Sequence, residues 1–93
     1  FVDVDSRTYN MNPKEVLEAI NEKTKVIMPV HSLGLAADMD KITEIAREND
    51  LIVFEDCCEA HGAVYKGKRV GSFGDIATLP VNSWNRCTNC YVL

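Results

Sequence analysis

The residues best suited to chemistry are two adjacent acids, Glu55 and Asp56, which close the apolar run Leu51-Ile52-Val53-Phe54. A buried strand that delivers a carboxylate at its C-terminal end is where open α/β sheets put ligand chemistry. Asp56 is the acid expected to face the crevice. A carboxylate there can pair with a cation, hold a metal or accept a phosphoryl group. The bland alternative is a helix N-cap or a solvated acid after a strand, and residue type alone does not separate the two. Glu59, three residues on, reads by itself as a loop acid. His31 and His61 are the only histidines. A histidine after a strand is more often a hydrogen-bonded structural residue than a catalyst, and that is the expectation for both, with His31 the better placed to wall a pocket. Gly62, Gly71 and Gly74 mark tight turns. None belongs to a GxGxxG between strand and helix, so a dinucleotide site has no support, and there is no Walker A sequence.

The cysteines offer a rival chemistry. Cys87-Thr88-Asn89-Cys90 is a CxxC, which supplies two zinc ligands or a redox pair. A non-enzymatic metal- or redox-binding module built on Cys87 and Cys90 is therefore one alternative. Its second half is weak, because the adjacent Cys57 and Cys58 chelate poorly. A redox CxxC also belongs at a helix start, and only three residues follow this one. No metal ligand is assigned. A receiver-like domain ranks below both readings: it would need more acids near the first strand and a lysine after the last one.

The elements that position these groups are legible from periodicity. Phe1–Asp5 alternates apolar and acidic residues as a short strand does. Asn12-Pro13 opens a helix, with Val16, Leu17 and Ile20 on one stripe, ending near Asn21. Lys25–Val30 reads as a buried strand with Pro29 at its end, and residues 31–34 turn the chain. Asp38 caps a second helix carrying Met39, Ile42, Ile45 and Ala46 on one face, to about Asn49. Leu51–Glu55 is the next strand, Val64–Tyr65 and Arg69–Val70 flank a Lys66-Gly67-Lys68 hairpin turn, and Ile76–Val81 is a further strand. The pattern predicts an α/β fold: a partial parallel sheet with two successive β-α-β crossovers.

Ninety-three residues make one small domain at most. The net charge of -4 argues against a nucleic-acid footprint, which is normally basic. No apolar run approaches the ~18 residues of a membrane span, and no signal peptide opens the chain. The cysteine pattern is not a disulfide framework, so a reducing cytoplasm is the default compartment. Beginning at Phe1 inside a strand-like stretch, the chain reads as an internal piece of a larger protein.

Residues 51–77, LIVFEDCCEAHGAVYKGKRVGSFGDIA, are similar to one family segment. They resemble the nucleotide-sugar aminotransferases, the DegT/StrS group of fold-type-I pyridoxal-phosphate enzymes, where the corresponding text reads EDAAQAHGA and then YKGKxVGSFGDIATFSF. The match is dense over about residues 1–78. It implies that residues 1–78 are part of the pyridoxal-phosphate-binding large domain. It also implies a homodimeric parent enzyme that moves an amino group from an amino-acid donor to a keto-sugar nucleotide in sugar or polysaccharide biosynthesis. In such enzymes a carboxylate keeps the pyridine nitrogen protonated so that the ring withdraws electrons; Asp56 occupies that position. Glu59 stands where the family has Gln or Glu beside the ring. A pyridoxal-phosphate sugar dehydratase is the alternative activity within the resemblance.

The resemblance then fails. The family continues ATFSFYxxKN and a GEGG segment, with the lysine holding the cofactor and the serine helping to hold its phosphate. Counting from Ala77-Thr78, the serine falls on Pro80 and the lysine on Asn85. Pro80 has neither hydroxyl nor N–H to donate, and Asn85 cannot form an imine; nor is it the histidine of the dehydratase-like members. Residues 79–93 are thus expected to be a divergent, poorly ordered tail, and the chain itself to be inactive, with no catalytic residue of its own.

Overall fold

The computed structural model describes residues 1–79 in full and the backbone of 80 and 90–92. Helix α1 (Pro13–Ala19) starts as its sequence dictates. Asn12 accepts the Lys14 N–H at 3.1 Å, and Pro13 takes a position where its missing N–H costs nothing. Only Val16 of this helix is buried. Leu17, expected beside it on the stripe, is exposed, and Ile20 is half-buried where the helix has already ended. Helix α2 (Met39–Glu48) is capped by Asp38, which accepts the Lys41 N–H at 3.4 Å. The face it buries is the expected one: Met39, Ile42, Ile45 and Ala46.

Strand β1 (Val26–Ile27) precedes α2, and β2 (Ile52–Asp56) follows it. A hairpin comes next, β3 (Val64–Tyr65) and β4 (Lys68–Arg69), and then β5 (Ile76–Pro80) and β6 (Cys90–Val92). The main sheet has the order β1-β2-β5-β6, with β1, β2 and β5 parallel and β6 antiparallel to β5. β2 is thus a central strand. α2 supplies the crossover from β1 to β2, and its apolar face packs with Val16, Ile27, Ala37 and Val53 as the core. Fully burying one such side chain stabilises by about 1.5–3 kcal/mol.

Two expectations are corrected. There is one β-α-β unit, not two, because Phe1–Asp5 does not join the sheet; it contributes only an isolated bridge, Val4 to Met11. The cause is local. Asp5 Oδ1 accepts the N–H groups of Arg7 and Thr8, and its carbonyl accepts those of Thr8 and Tyr9, so the backbone turns where a strand would continue. The second concerns only the bounds of the hairpin, which with the glycine-bearing loop joins the parallel strands β2 and β5 as expected. The hairpin turn is Lys66-Gly67, both at positive φ, and Lys68 already belongs to β4.

The hairpin is tied down at its tip. The Tyr65 hydroxyl donates to Asp38 at 2.9 Å, Lys66 pairs with Asp40, and the Tyr65 and Phe73 rings meet edge to face at 5.7 Å. Of the segment 79–93, Leu79 and Pro80 continue β5 and residues 90–92 pair with it. Residues 81–89 and 93, including Asn85 and Cys87, lie outside the described residues.

Candidate active site

Alternation along β2 decides which acid does what. Successive side chains of a strand point to opposite faces, so Glu55 joins Val53 on the covered face while Asp56 shares the other with Ile52 and Phe54. Glu55 is fully buried, Asp56 partly, and Ile52 is exposed. The apolar run is therefore covered on one face only among the described residues.

Asp56 sits where β2 ends, hydrogen-bonded on both flanks. Its N–H donates to the Pro29 carbonyl, and its own carbonyl accepts the His31 N–H, both at 2.9 Å. Its neighbour across β5 is Thr78. One carboxylate oxygen, Oδ1, accepts the Cys58 N–H at 3.0 Å and the Thr78 hydroxyl at 3.1 Å. Oδ2 carries no hydrogen bond among the described residues. The group is a carboxylate held in orientation through one oxygen.

Glu55 is the residue that sequence reasoning passed over. Its Oε1 accepts the N–H groups of Phe73 at 2.7 Å and Gly74 at 2.6 Å; its Oε2 accepts the Gly71 N–H at 2.7 Å and meets His31 Nε2 at 3.1 Å. The loop thus forms a nest of main-chain donors around an anion. Burial pushes the Glu55 carboxyl up. The hydrogen bonds from His31 and from the backbone of Gly74, Gly71 and Phe73 outweigh it and hold the group below its ordinary value. His31 is equally buried, and its Nδ1 accepts the Ala37 N–H at 3.0 Å. That bond fixes the tautomer: with Nδ1 the acceptor, the ring proton sits on Nε2 and points at Glu55.

The loop itself is built for this. Gly71 adopts φ +85°, which a side chain resists. A Cβ on Gly74 would come within 2.7 Å of the Val53 carbonyl oxygen, so the loop lies flat on β2 only because that side chain is absent. Asp75 completes the seam. Its Oδ2 accepts the Val53 N–H at 2.8 Å, and its own N–H donates to the Val53 carbonyl at 2.9 Å.

The remaining expected residues separate. His31 is hydrogen-bonded and structural, as expected, but it stands on Glu55's face of the strand. His61 is exposed in the turn before Gly62 and makes no side-chain hydrogen bond among the described residues, because the chain swings outward there. Glu59 is exposed, and its carbonyl accepts the Gly34 N–H. Its carboxylate has no hydrogen-bond partner among the described residues.

His31, Glu55 and Cys57 form a buried cluster with ligand atoms within 4.8 Å. Its donors are already spent. Glu55 has four partners, His31 uses both nitrogens, and burial, then the nearby Glu55 and Asp56 charges, push the Cys57 thiol up to about 12. A cavity of about 620 Å³ lies along β1, walled by Phe1, Met11, Val26, Met28 and Val30 among others. Asp56 and Glu59 do not line it, although Val30 is the bridge partner of Asp56.

The sequence matches the DegT/DnrJ/EryC1/StrS aminotransferase family over residues 1–83. It is 50% identical over 79 residues to the GDP-perosamine synthase of Escherichia coli O157:H7, covering 85% of this chain and 22% of that protein. Among solved structures, an aminotransferase from Psychrobacter cryohalolentis superposes with a TM-score of 0.83 at 46% identity, over 85% of this chain and 20% of that one. The E. coli GDP-4-keto-6-deoxy-D-mannose-3-dehydratase with bound hydrated PLP superposes with a TM-score of 0.78 at 38% identity, over 85% and 20%. This chain therefore spans about a fifth of the length of the relatives it matches. Among the described residues no helix is long and apolar enough to cross a membrane. The partial parallel sheet around Asp56 is a portion of a fold-type-I pyridoxal-phosphate enzyme, and the chain belongs to the DegT/DnrJ/EryC1/StrS aminotransferase family.

Proposed function

We propose that the protein of which this chain is a part descends from cytoplasmic, homodimeric enzymes that transfer an amino group from an amino-acid donor to a keto-sugar nucleotide with pyridoxal phosphate, and that the chain itself is inactive in transamination. One observation carries the reading. Asp56 ends a central parallel strand with Oδ1 held by Cys58 and Thr78 and with no partner on Oδ2 among the described residues. That is the arrangement a pyridinium nitrogen requires: an anion oriented by the protein and open on one side. When bound, the cofactor supplies an electron-withdrawing ring that stabilises negative charge on the substrate. Asp56 would hold the ring's nitrogen proton, and Thr78 and Cys58 would hold Asp56.

The residues present fit the ring end of that cofactor and not the rest. Position 80, where the resemblance calls for a phosphate-binding hydroxyl, is proline, and position 85, where it calls for the covalent lysine, is asparagine. No step is therefore assigned to this chain. The dehydratase reading shares the Asp56 geometry, and relatives of both kinds match over 85% of this chain.

The test is trapping. The chain is incubated with pyridoxal phosphate, reduced with borohydride and mapped by mass spectrometry. The expected result is scattered substoichiometric labelling and no turnover of a keto-sugar nucleotide. One stoichiometric pyridoxyl-lysine accompanied by turnover would overturn the inactivity.

A further inference from the structure

We infer that the buried Glu55–His31 pair is the positioning unit for Asp56: by holding the 71–74 loop it places Thr78 so that Asp56 offers Oδ2, and not Oδ1, to a ligand. The assignment of that ligand rests on the reading above; the positioning does not. The two acids are neighbours in sequence but their side chains lie on opposite faces of β2, and the Glu55 carboxylate has none of the partners of the Asp56 carboxylate. Its influence runs through the backbone. Three N–H groups of the loop converge on it, and the seam continues at Asp75, which grips Val53 through both backbone groups. That seam sets where β5 begins, and β5 pairs Phe54 with Ile76, Glu55 with Ala77 and Asp56 with Thr78. A slip of one residue would replace Thr78 by Ala77 or Leu79 opposite Asp56, and neither side chain has a hydroxyl to donate. His31 fixes the other flank. Its ring holds Glu55 and Ala37, while its backbone N–H holds the Asp56 carbonyl. The third titratable group in the cluster, Cys57, stays a neutral thiol.

Glu55→Gln tests the idea. It preserves shape but turns an NH₂ toward donors it cannot accept from, either His31 Nε2–H with Gly71 N–H or Phe73 with Gly74. The readout is hydrogen exchange at two protons that Asp56 itself protects, the Cys58 amide and the Thr78 hydroxyl, measured by NMR on the complete chain. The control is Ile45→Val, a core change on α2 that lowers stability without touching the seam. At matched global stability, Glu55→Gln is expected to speed exchange at both protons by about tenfold, the response to losing one hydrogen bond of ordinary net worth. The control should leave the ratio of these protons to the α2 amides unchanged. If Glu55→Gln does not fold, Glu55→Asp, which keeps the charge but draws the carboxylate back from the three loop N–H groups, carries the same comparison. Equal protection of Cys58 and Thr78 in a folded seam variant and the control would overturn the inference. Because no cofactor enters the measurement, its failure is separable from failure of the pyridoxal-phosphate reading.

Discussion

Gly74→Ala should be among the most damaging single-methyl additions in this chain. The new Cβ would stand 2.7 Å from the Val53 carbonyl oxygen, 2.9 Å from Val53 Cγ1 and 3.2 Å from the Val53 carbonyl carbon. Two of these three are backbone atoms of a central strand, so no rotamer change relieves the overlap. Either β2 shifts or the loop withdraws. Overpacking of this kind costs about 1–3 kcal/mol. Withdrawal also lengthens the 2.6 Å bond from the Gly74 N–H to Glu55, and a hydrogen bond to a charged group is worth about 1.5–3 kcal/mol. Against this, alanine gains roughly 0.4–1 kcal/mol by restricting the unfolded chain. The net loss is about 2–5 kcal/mol, a large part of the ~5–14 kcal/mol that a chain of this size holds in total. Urea unfolding followed by circular dichroism reads it directly: with a slope of about 1–3 kcal/mol/M the midpoint should fall by about 0.7 M or more. A midpoint within about 0.2 M of the parent would refute the claim that the loop lies against β2 through an absent side chain.

Acid should unfold the chain partly through Glu55. Its folded carboxyl lies below its ordinary value of 4.5, so its stabilising contribution is complete above that value and is lost as pH falls through the lower folded one; Asp38, where the hydrogen bonds from Lys41 and Tyr65 outweigh burial and hold the carboxyl below its own ordinary value of 3.8, adds a loss of the same sign. The unfolding free energy should therefore decline more steeply below about pH 4.5 in the parent than in Glu55→Gln, and equal slopes would contradict it. Cys57, buried and pushed up to about 12, should resist iodoacetamide at pH 8 in the native chain and react once urea is added; rapid native labelling would place it at the surface. In full-length protein carrying Pro80→Ser and Asn85→Lys, adding Asp56→Asn should weaken pyridoxal-phosphate binding by about 1.5–3 kcal/mol, read by titrating the cofactor's absorbance. Unchanged affinity would remove Asp56 from the cofactor's ring nitrogen.

Both helices were legible because their signals are local. Asn12-Pro13 and Asp38 are side chains that satisfy the first free N–H groups of a helix, and the Met39-Ile42-Ile45-Ala46 spacing describes one face. β2 was legible as an apolar run. The strand expected at Phe1–Asp5 was misread because alternation says nothing about a partner, and Asp5 spends its carboxylate on its own turn. Asp56 could be placed at a strand end, yet its neighbour Glu55 could not be given a role. Its four partners come from positions 24 residues before and 16–19 residues after it, and three of them are backbone groups that any sequence possesses. Strand alternation was the one available clue that two adjacent acids must part company, and it does not say which of the two faces is buried.

That Glu55 reads only main-chain groups of the 71–74 loop has a bearing on how this segment tolerates change. At Ser72 and Phe73 the carboxylate uses nothing from the side chains, so substitutions there leave its nest intact as long as the backbone keeps its course. Length is another matter. One residue inserted between Gly71 and Asp75 would carry either the Gly71 N–H or the Phe73 and Gly74 pair out of reach, and would shift β5 against β2 by a full side-chain alternation. The nest thus constrains the loop's residue count and its two glycines, while Phe73 is constrained separately by its ring contact with Tyr65; variation here should accumulate as substitutions, chiefly at Ser72, and not as insertions or deletions.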